Sequence, residues 1–212
     1  METGPRVAPL GGGREPGRLP SFVVTHGGTP LAELESAFRS AFDAEPARAS
    51  VSFVGVDPIE VLRFGAQGLI SYVTLGMSRH VMTPGDALVQ SQDGPRAELL
   101  MQARTDAGEG WRQLALLAAA PAVEGIVYRD GMTVDLGAAL TLGSRCSGGL
   151  IVTSAIAPVE TSVGAVVVFR VVPATATELA WCRVHGSALL RQRWDEQGVD
   201  LLDLRRPAAR LD

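Results

Sequence analysis

The run at residues 165–169 (AVVVF), inside the stretch 164–172 that is apolar apart from Arg170, constrains this chain more than any other feature. Successive β-branched side chains lose rotamer freedom in a helix and pack well on a pleated surface, so this run reads as the best core strand in the chain. A strand this apolar belongs inside a sheet rather than at a solvated edge. Other short β-branched and aromatic runs, bounded by Gly, Asp, Ser and Pro, predict strands at 49–54 (ASVSFV), 69–75 (LISYVTL), 96–104, 125–128, 132–136 and 149–154. Helical spacing appears in three places. From Pro30 the positions Leu31, Leu34, Ala37, Phe38, Ala41 and Phe42 recur at three and four, with Thr29 as N-cap. Residues 111–120 are rich in Ala and Leu and predict a buried helix ended by Pro121. Residues 177–197 predict a last helix that puts Leu179, Cys182, Gly186, Leu189 and Leu190 on one face, with Gly198 as its stop. Helix, strands, helix, strands, helix is the order of an α+β domain, not of a doubly wound fold.

At 212 residues, one domain with a real core is expected. The first twenty residues contain five Gly and four Pro with almost nothing to bury, which predicts a flexible tail at 1–20 and a domain over 21–212. A net charge of −4 gives no field that attracts nucleic acid or an anionic membrane. The longest apolar stretch, 114–123, is far short of a bilayer span, and the N-terminus lacks the pattern of a secretory signal, so the expectation is a cytoplasmic protein without a membrane segment. Cys146 and Cys182 stand far apart and suggest reduced thiols. All 19 basic residues are Arg, so Schiff-base chemistry and the Walker phosphate loop, both of which need Lys, are excluded.

Candidate chemistry is sparse. His26, His80 and His185 show no zinc-site spacing. His80 lies just past a predicted strand, beside Ser78 and Arg79, and is a candidate general base. Cys146 lies in GSRCSGG (143–149), where Arg145 and a Gly-rich backbone favour a thiolate, although a hairpin turn accounts for the same glycines. A small hydrolase or transferase using Cys146 or His80 is therefore the alternative reading of function. Of the scattered carboxylates Glu98, Glu109, Glu160 and Glu178, Glu98 is notable: a strand burying Leu99 and Ala97 puts Arg96 and Glu98 together on its other face. If the strands are neighbours, Tyr72 and Thr74 make a polar-tipped face near that pair, a binding surface in outline. Arg191, Arg193, Arg205, Arg206 and Arg210, interleaved with Asp195, Glu196, Asp200 and Asp203, predict a solvated, salt-bridged C-terminal face.

Two segments, YVTLGMSRH (72–80) and PRAELLMQ (95–102), resemble the suppressor of fused domain family. The likeness continues through Trp111 and its helix, Tyr128-Arg-Asp-Gly-Met, the strand at 163–172 with Pro173, the helix containing Glu178, and 201–207, covering about residues 28–208. It implies a single α+β domain on a curved mixed sheet flanked by helices, and it implies no cofactor. In eukaryotic members this domain is followed by a second, and a transcription-factor peptide is clamped between the two as an added strand. Ending at Asp212, the chain matches the first domain alone, without the other half of that clamp. Stand-alone bacterial members are similar to proteins found beside polymorphic toxins, which makes a toxin domain one candidate for the protein partner and immunity one candidate role. The peptide-facing surface of the family matches residues 118–135 here. The expected partner-binding residues are Tyr72, Thr74, Arg96, Glu98, Trp111, Tyr128 and Asp130, acting by steric occlusion or by strand addition at an exposed edge. Oligomeric state is left open by the sequence.

Overall fold

The structure, a computed structural model, describes residues 28–87, 93–104 and 110–212. The expected tail at 1–20, His26 and Glu109 lie outside these residues. Thr29 opens α1 (Pro30–Phe42) by accepting a hydrogen bond from the Ala32 amide, and Pro30 sits in the first turn, where its missing N–H costs nothing. The chain then forms β1 (Ala47–Phe53), β2 (Val56–Ala66) and β3 (Leu69–Leu75) as an antiparallel meander. Gln67 and Gly68, both at positive φ, make the tight β2–β3 turn, the conformation a two-residue hairpin needs to match strand twist. A 3-10 turn (Met77–Arg79) leads away from β3, and β4 (Arg96–Ala103) returns antiparallel to it. After α2 (Gly110–Glu124) come β5 (Thr133–Asp135), β6 (Cys146–Thr153), β7 (Val159–Thr161) and β8 (Gly164–Thr175), then α3 (Ala176–His185) and α4 (Ser187–Glu196).

The sheet order is β1-β2-β3-β4-β8-β6-β5, with β7 paired to β8. Only the β4–β8 pairing is parallel, so the sheet is mixed, and β8, which carries the AVVVF run, lies in its interior. Its odd-numbered residues Phe169 and Val171 pack with α2, whereas Val166 and Val168 pack with α1 and Val172 and Ala174 with α3 and α4. Helices thus cover both faces of a single α+β domain.

Several elements differ from the sequence expectation, the short β7 among them, which had no counterpart in it. Helix α2 runs through Pro121 to Glu124. A proline cannot donate to the carbonyl four residues back, and here the Tyr128 hydroxyl does so instead, donating to Leu117 O at 2.7 Å. The segment 125–128 is consequently not a strand: it threads back along α2, with Ile126 and Val127 half-buried against the same core. The expected single helix over 177–197 is broken at Gly186 (φ 91°), whose N–H closes α3 on Cys182 O before α4 starts. Leu179, Cys182, Leu190 and Trp194 face the core, while Leu189 is largely exposed. Strand β2 had no counterpart in the sequence reading. It is buried on both faces, Ile59 and Val61 toward α2 and Leu62 and Phe64 toward α1, so its residues do not alternate apolar with polar.

Candidate partner-binding surface

β3 and β4 are neighbours, with Tyr72 opposite Met101 and Val73 opposite Leu100. Directly opposed residues point to the same side of a sheet, so this register sends Tyr72 to the α2 face with Met101, and Arg96 and Glu98 to the α1 side with Leu100. The expected joint polar face does not form. Tyr72, Thr74 and Glu98 are all buried, Glu98 at 0% exposure.

Glu98 has a structural occupation. Past the Val73–Leu100 pair the two strands part, and its carboxylate fills the gap. One oxygen accepts from the amides of Gly76 (2.8 Å) and Ser78 (3.1 Å) and from the Ser78 hydroxyl (2.7 Å); the other accepts from Thr74 Oγ1 at 2.6 Å. Thr74 Oγ1 in turn accepts from the Leu99 amide. Arg96 does not pair with Glu98; its Nη1 donates to the carbonyls of Ser78 and Arg79, closing the other end of the same 3-10 turn. The motif PRAELLMQ thus holds the segment YVTLGMSRH in shape.

Among the other expected residues, Trp111 is half-buried beside the Arg112 guanidinium, and Tyr128 is buried and occupied by Leu117. Burial pushes the Tyr128 phenol well above its ordinary range, with the Glu124 charge adding to the effect, so it stays a hydrogen-bond donor. Asp130 is exposed. It accepts from the Thr153 amide at 2.8 Å and pairs with Arg191 at 3.0 Å, contacts that hold its carboxyl below the usual range.

Asp130 stands beside the last strand of the sheet. The Leu136 amide donates to Ser147 O and Met132 O accepts from the Ile151 amide, which points the even-numbered backbone groups of β5 inward. Those of Thr133 and Asp135 therefore point away from β6, along the open edge. This edge docks so closely because β6 has glycines opposite it: a Cβ on Gly148 would lie 2.0 Å from Val134 O. Arg183 lies 3.6 Å from Asp135 across this edge.

Cys146 is fully buried at the start of β6 rather than in a loop, and burial pushes its thiol up to about 11, against the pull of the Arg206 charge. A thiolate is disfavoured there. His80 is exposed and has a partner the sequence did not reveal, Asp57 Oδ2 at 2.9 Å. His80 lines an open groove of about 790 Å³, together with Arg79, Thr83, Arg96 and Glu124 among others. Among the described residues no group of three or more His, Cys, Asp or Glu is placed to hold a metal ion, and no helix is long and apolar enough to cross a membrane.

The expected solvated Arg face is also corrected at one position. Arg206 is buried and grips Glu178 with both terminal nitrogens, at 2.7 and 2.9 Å. Glu178 also accepts from Trp194 Nε1, the Ala209 amide and the Thr175 amide, the last as half of a capping box at the start of α3. The sequence signal for that box, Thr175-x-x-Glu178, is local and readable; the long-range partners are not.

This arrangement of strands and helices, with both of its diagnostic segments locked together by Glu98, matches a known family. A family model for Suppressor of fused protein (SUFU) matches residues 55–207. The chain belongs to the suppressor of fused family. Among solved structures it is similar to a SUFU homologue from Neisseria gonorrhoeae (TM-score 0.64, 19% identity, covering 84% of this chain and 96% of that one). It is also similar to a chain of the Sufu–Fu complex (TM-score 0.64, 12% identity, 85% and 92% covered) and to Drosophila Suppressor of Fused (TM-score 0.59, 13% identity, 84% and 50% covered). These likenesses are of fold, and this chain spans half the length of the Drosophila structure. No curated protein matches the sequence.

Proposed function

We propose that this suppressor of fused domain is a non-enzymatic binding protein that sequesters a protein partner, with immunity against a bacterial toxin domain as its working role. The observation that carries the reading is the edge position of β5, where the outward backbone groups of Thr133 and Asp135 have no strand partner among the described residues and Asp130 lies alongside. A relative in this fold was solved in complex with Fu, which supports protein binding as the use of the scaffold. Backbone pairing supplies affinity here, and the Asp130–Arg191 and Asp135–Arg183 charges beside the edge supply selectivity. Of the residues expected from sequence, Asp130, Trp111 and Arg96 remain available for contact, while Tyr72, Thr74, Glu98 and Tyr128 act by holding the framework.

The test is capture of the tagged protein with its partner, followed by affinity measurement on two variants at one position. Thr133→Pro removes an outward N–H without touching the β6 ladder and is expected to weaken binding at least about tenfold, while Thr133→Ala stays near wild type. Equal affinities for both variants would remove strand addition from the mechanism. A captured partner without a toxic activity would remove the immunity role.

One observation favours a second reading, acid–base chemistry at His80. Asp57 orients its ring at the mouth of a polar groove, as a general base requires. An activity screen with His80→Ala as the control decides it: turnover that survives the substitution excludes His80.

A further inference from the structure

The face of the sheet opposite α2 carries two apolar clusters, one under α1 and one under α3 and α4, and they meet at Arg170. The register places this residue between Leu100 on β4 and Val152 on β6, and Val168 and Val172 flank it on the same face of β8. Four aliphatic side chains therefore collar its stem. Among the described residues the Arg170 side chain has no hydrogen-bond or ion-pair partner; its Nε is buried, while the residue as a whole is only partly buried. The polar neighbours are engaged elsewhere, Gln102 with Ser71 and Arg104 with Asp200.

A guanidinium in this position is costly. Withdrawing it from water without a counter-charge penalises the ionised form, and burial does lower its proton affinity. Arginine nevertheless stays charged, and a Met or Leu would fill the same seam without that cost. Such a charge gains most when an anion arrives, because the apolar collar strengthens their attraction and the terminal nitrogens present a planar fork.

We propose that Arg170 is the docking point for a carboxylate, an Asp or Glu side chain presented by the protein partner across the sheet face between α1 and α4. The inference rests on the reading that this domain binds a protein. A carboxylate is chosen over a phosphate because a single guanidinium balances one negative charge, and no second free cation lies on the adjoining strand positions Leu100, Gln102 and Val152 to balance another. This contact lies on the sheet face, so an added strand at β5 and a carboxylate at Arg170 are separable parts of one interface.

The experiment uses the full chain and has two arms. In the first, the Arg170 Nε–Hε resonance, assigned by its loss in Arg170→Met, is followed during titration with sodium acetate and with sodium chloride at equal ionic strength. A saturating shift with acetate alone is expected, half-complete in roughly the tens of millimolar because one charge-assisted pair supplies little more. No shift, or the same shift with chloride, overturns the site. In the second arm, Arg170→Met is expected to lose at least about tenfold in affinity for the captured partner, with a melting temperature no lower than wild type. Wild-type affinity in Arg170→Met alongside lost affinity in Thr133→Pro overturns the carboxylate contact and leaves edge binding standing; the reverse pattern removes edge binding and keeps the contact. A lowered melting temperature in Arg170→Met assigns the arginine a packing role and overturns the proposal.

Discussion

Arg206 and Arg170 are the same residue type, each set against the apolar cluster beneath α3 and α4, and the fold treats them in opposite ways. Arg206 is 4% exposed and has both terminal nitrogens on Glu178, with carbonyls of Pro173 and Pro207 as further acceptors. Arg170 has an apolar collar and no side-chain acceptor among the described residues. The difference teaches that burial alone does not say what a charge is for. A desolvated charge whose two terminal nitrogens are both engaged closes the structure, here by tying the C-terminal segment to α3 and α4, although its Nε, like that of Arg170, lacks a partner among the described residues. One without partners keeps its capacity for something outside the chain.

The contrast breaks most visibly at Arg206. Replacing it with Met leaves the Glu178 carboxylate buried and unpaired, and a loss of about 3–5 kcal/mol is expected from urea unfolding. The double variant Glu178→Gln with Arg206→Met should lose less than the two single losses added together, since neither charge is then stranded.

A pH series sharpens the same point. Burial alone would raise the Glu178 pKa, but the Arg206 hydrogen bonds and the amides of Ala209 and Thr175 outweigh it and hold the carboxyl below its ordinary 4.5. A depressed folded-state value means the unfolded chain binds the proton more readily, so this stabilisation is complete above about pH 4.5 and is lost as pH falls through the folded value. Wild type should therefore lose more of its urea midpoint between neutral and acid pH than Glu178→Gln does.

A neutral version of the paired case is the Tyr128 hydroxyl on Leu117 O, the carbonyl that Pro121 cannot serve. Tyr128→Phe should cost about 1–3 kcal/mol in thermal unfolding, as a buried acceptor loses its donor. Adding Pro121→Ala restores an amide to that carbonyl and should recover part of the loss. The smallest effect is expected at Arg170, where Met should change stability by no more than about 1 kcal/mol and in the stabilising direction. A large loss there would erase the distinction between the two arginines.

Much of the architecture was legible in local pattern. The spacing of Leu34 and Phe38 with Thr29 ahead of them gives α1, and the β-branched run gives β8 in the interior of the sheet. What escaped was set by distant contacts. Helix α2 continues past Pro121 because Tyr128 is there to take the orphaned carbonyl, and β2 hides its alternation because helices cover it from both sides. Gly186 at positive φ splits the last helix, whereas the helical reading placed it on the apolar face of one continuous helix; Gly198, also at positive φ, follows the end of α4 as expected.

The candidate surface was less legible than the fold. Alternation along β4 rightly put Arg96 and Glu98 on one side, but only the pairing of Tyr72 with Met101 shows that Tyr72 lies on the other. Residue types, periodicities and turn signals belong to the sequence by itself, because backbone propensity and side-chain period act over a few residues. They set the α+β order, and the two segments 72–80 and 95–102 carried the family resemblance. Which carboxylate meets which arginine, which hydroxyl replaces a missing amide, and which charge is left without a partner were decided only by tertiary structure. Strand register and helix docking bring together residues tens of positions apart, and no short-range preference encodes that meeting.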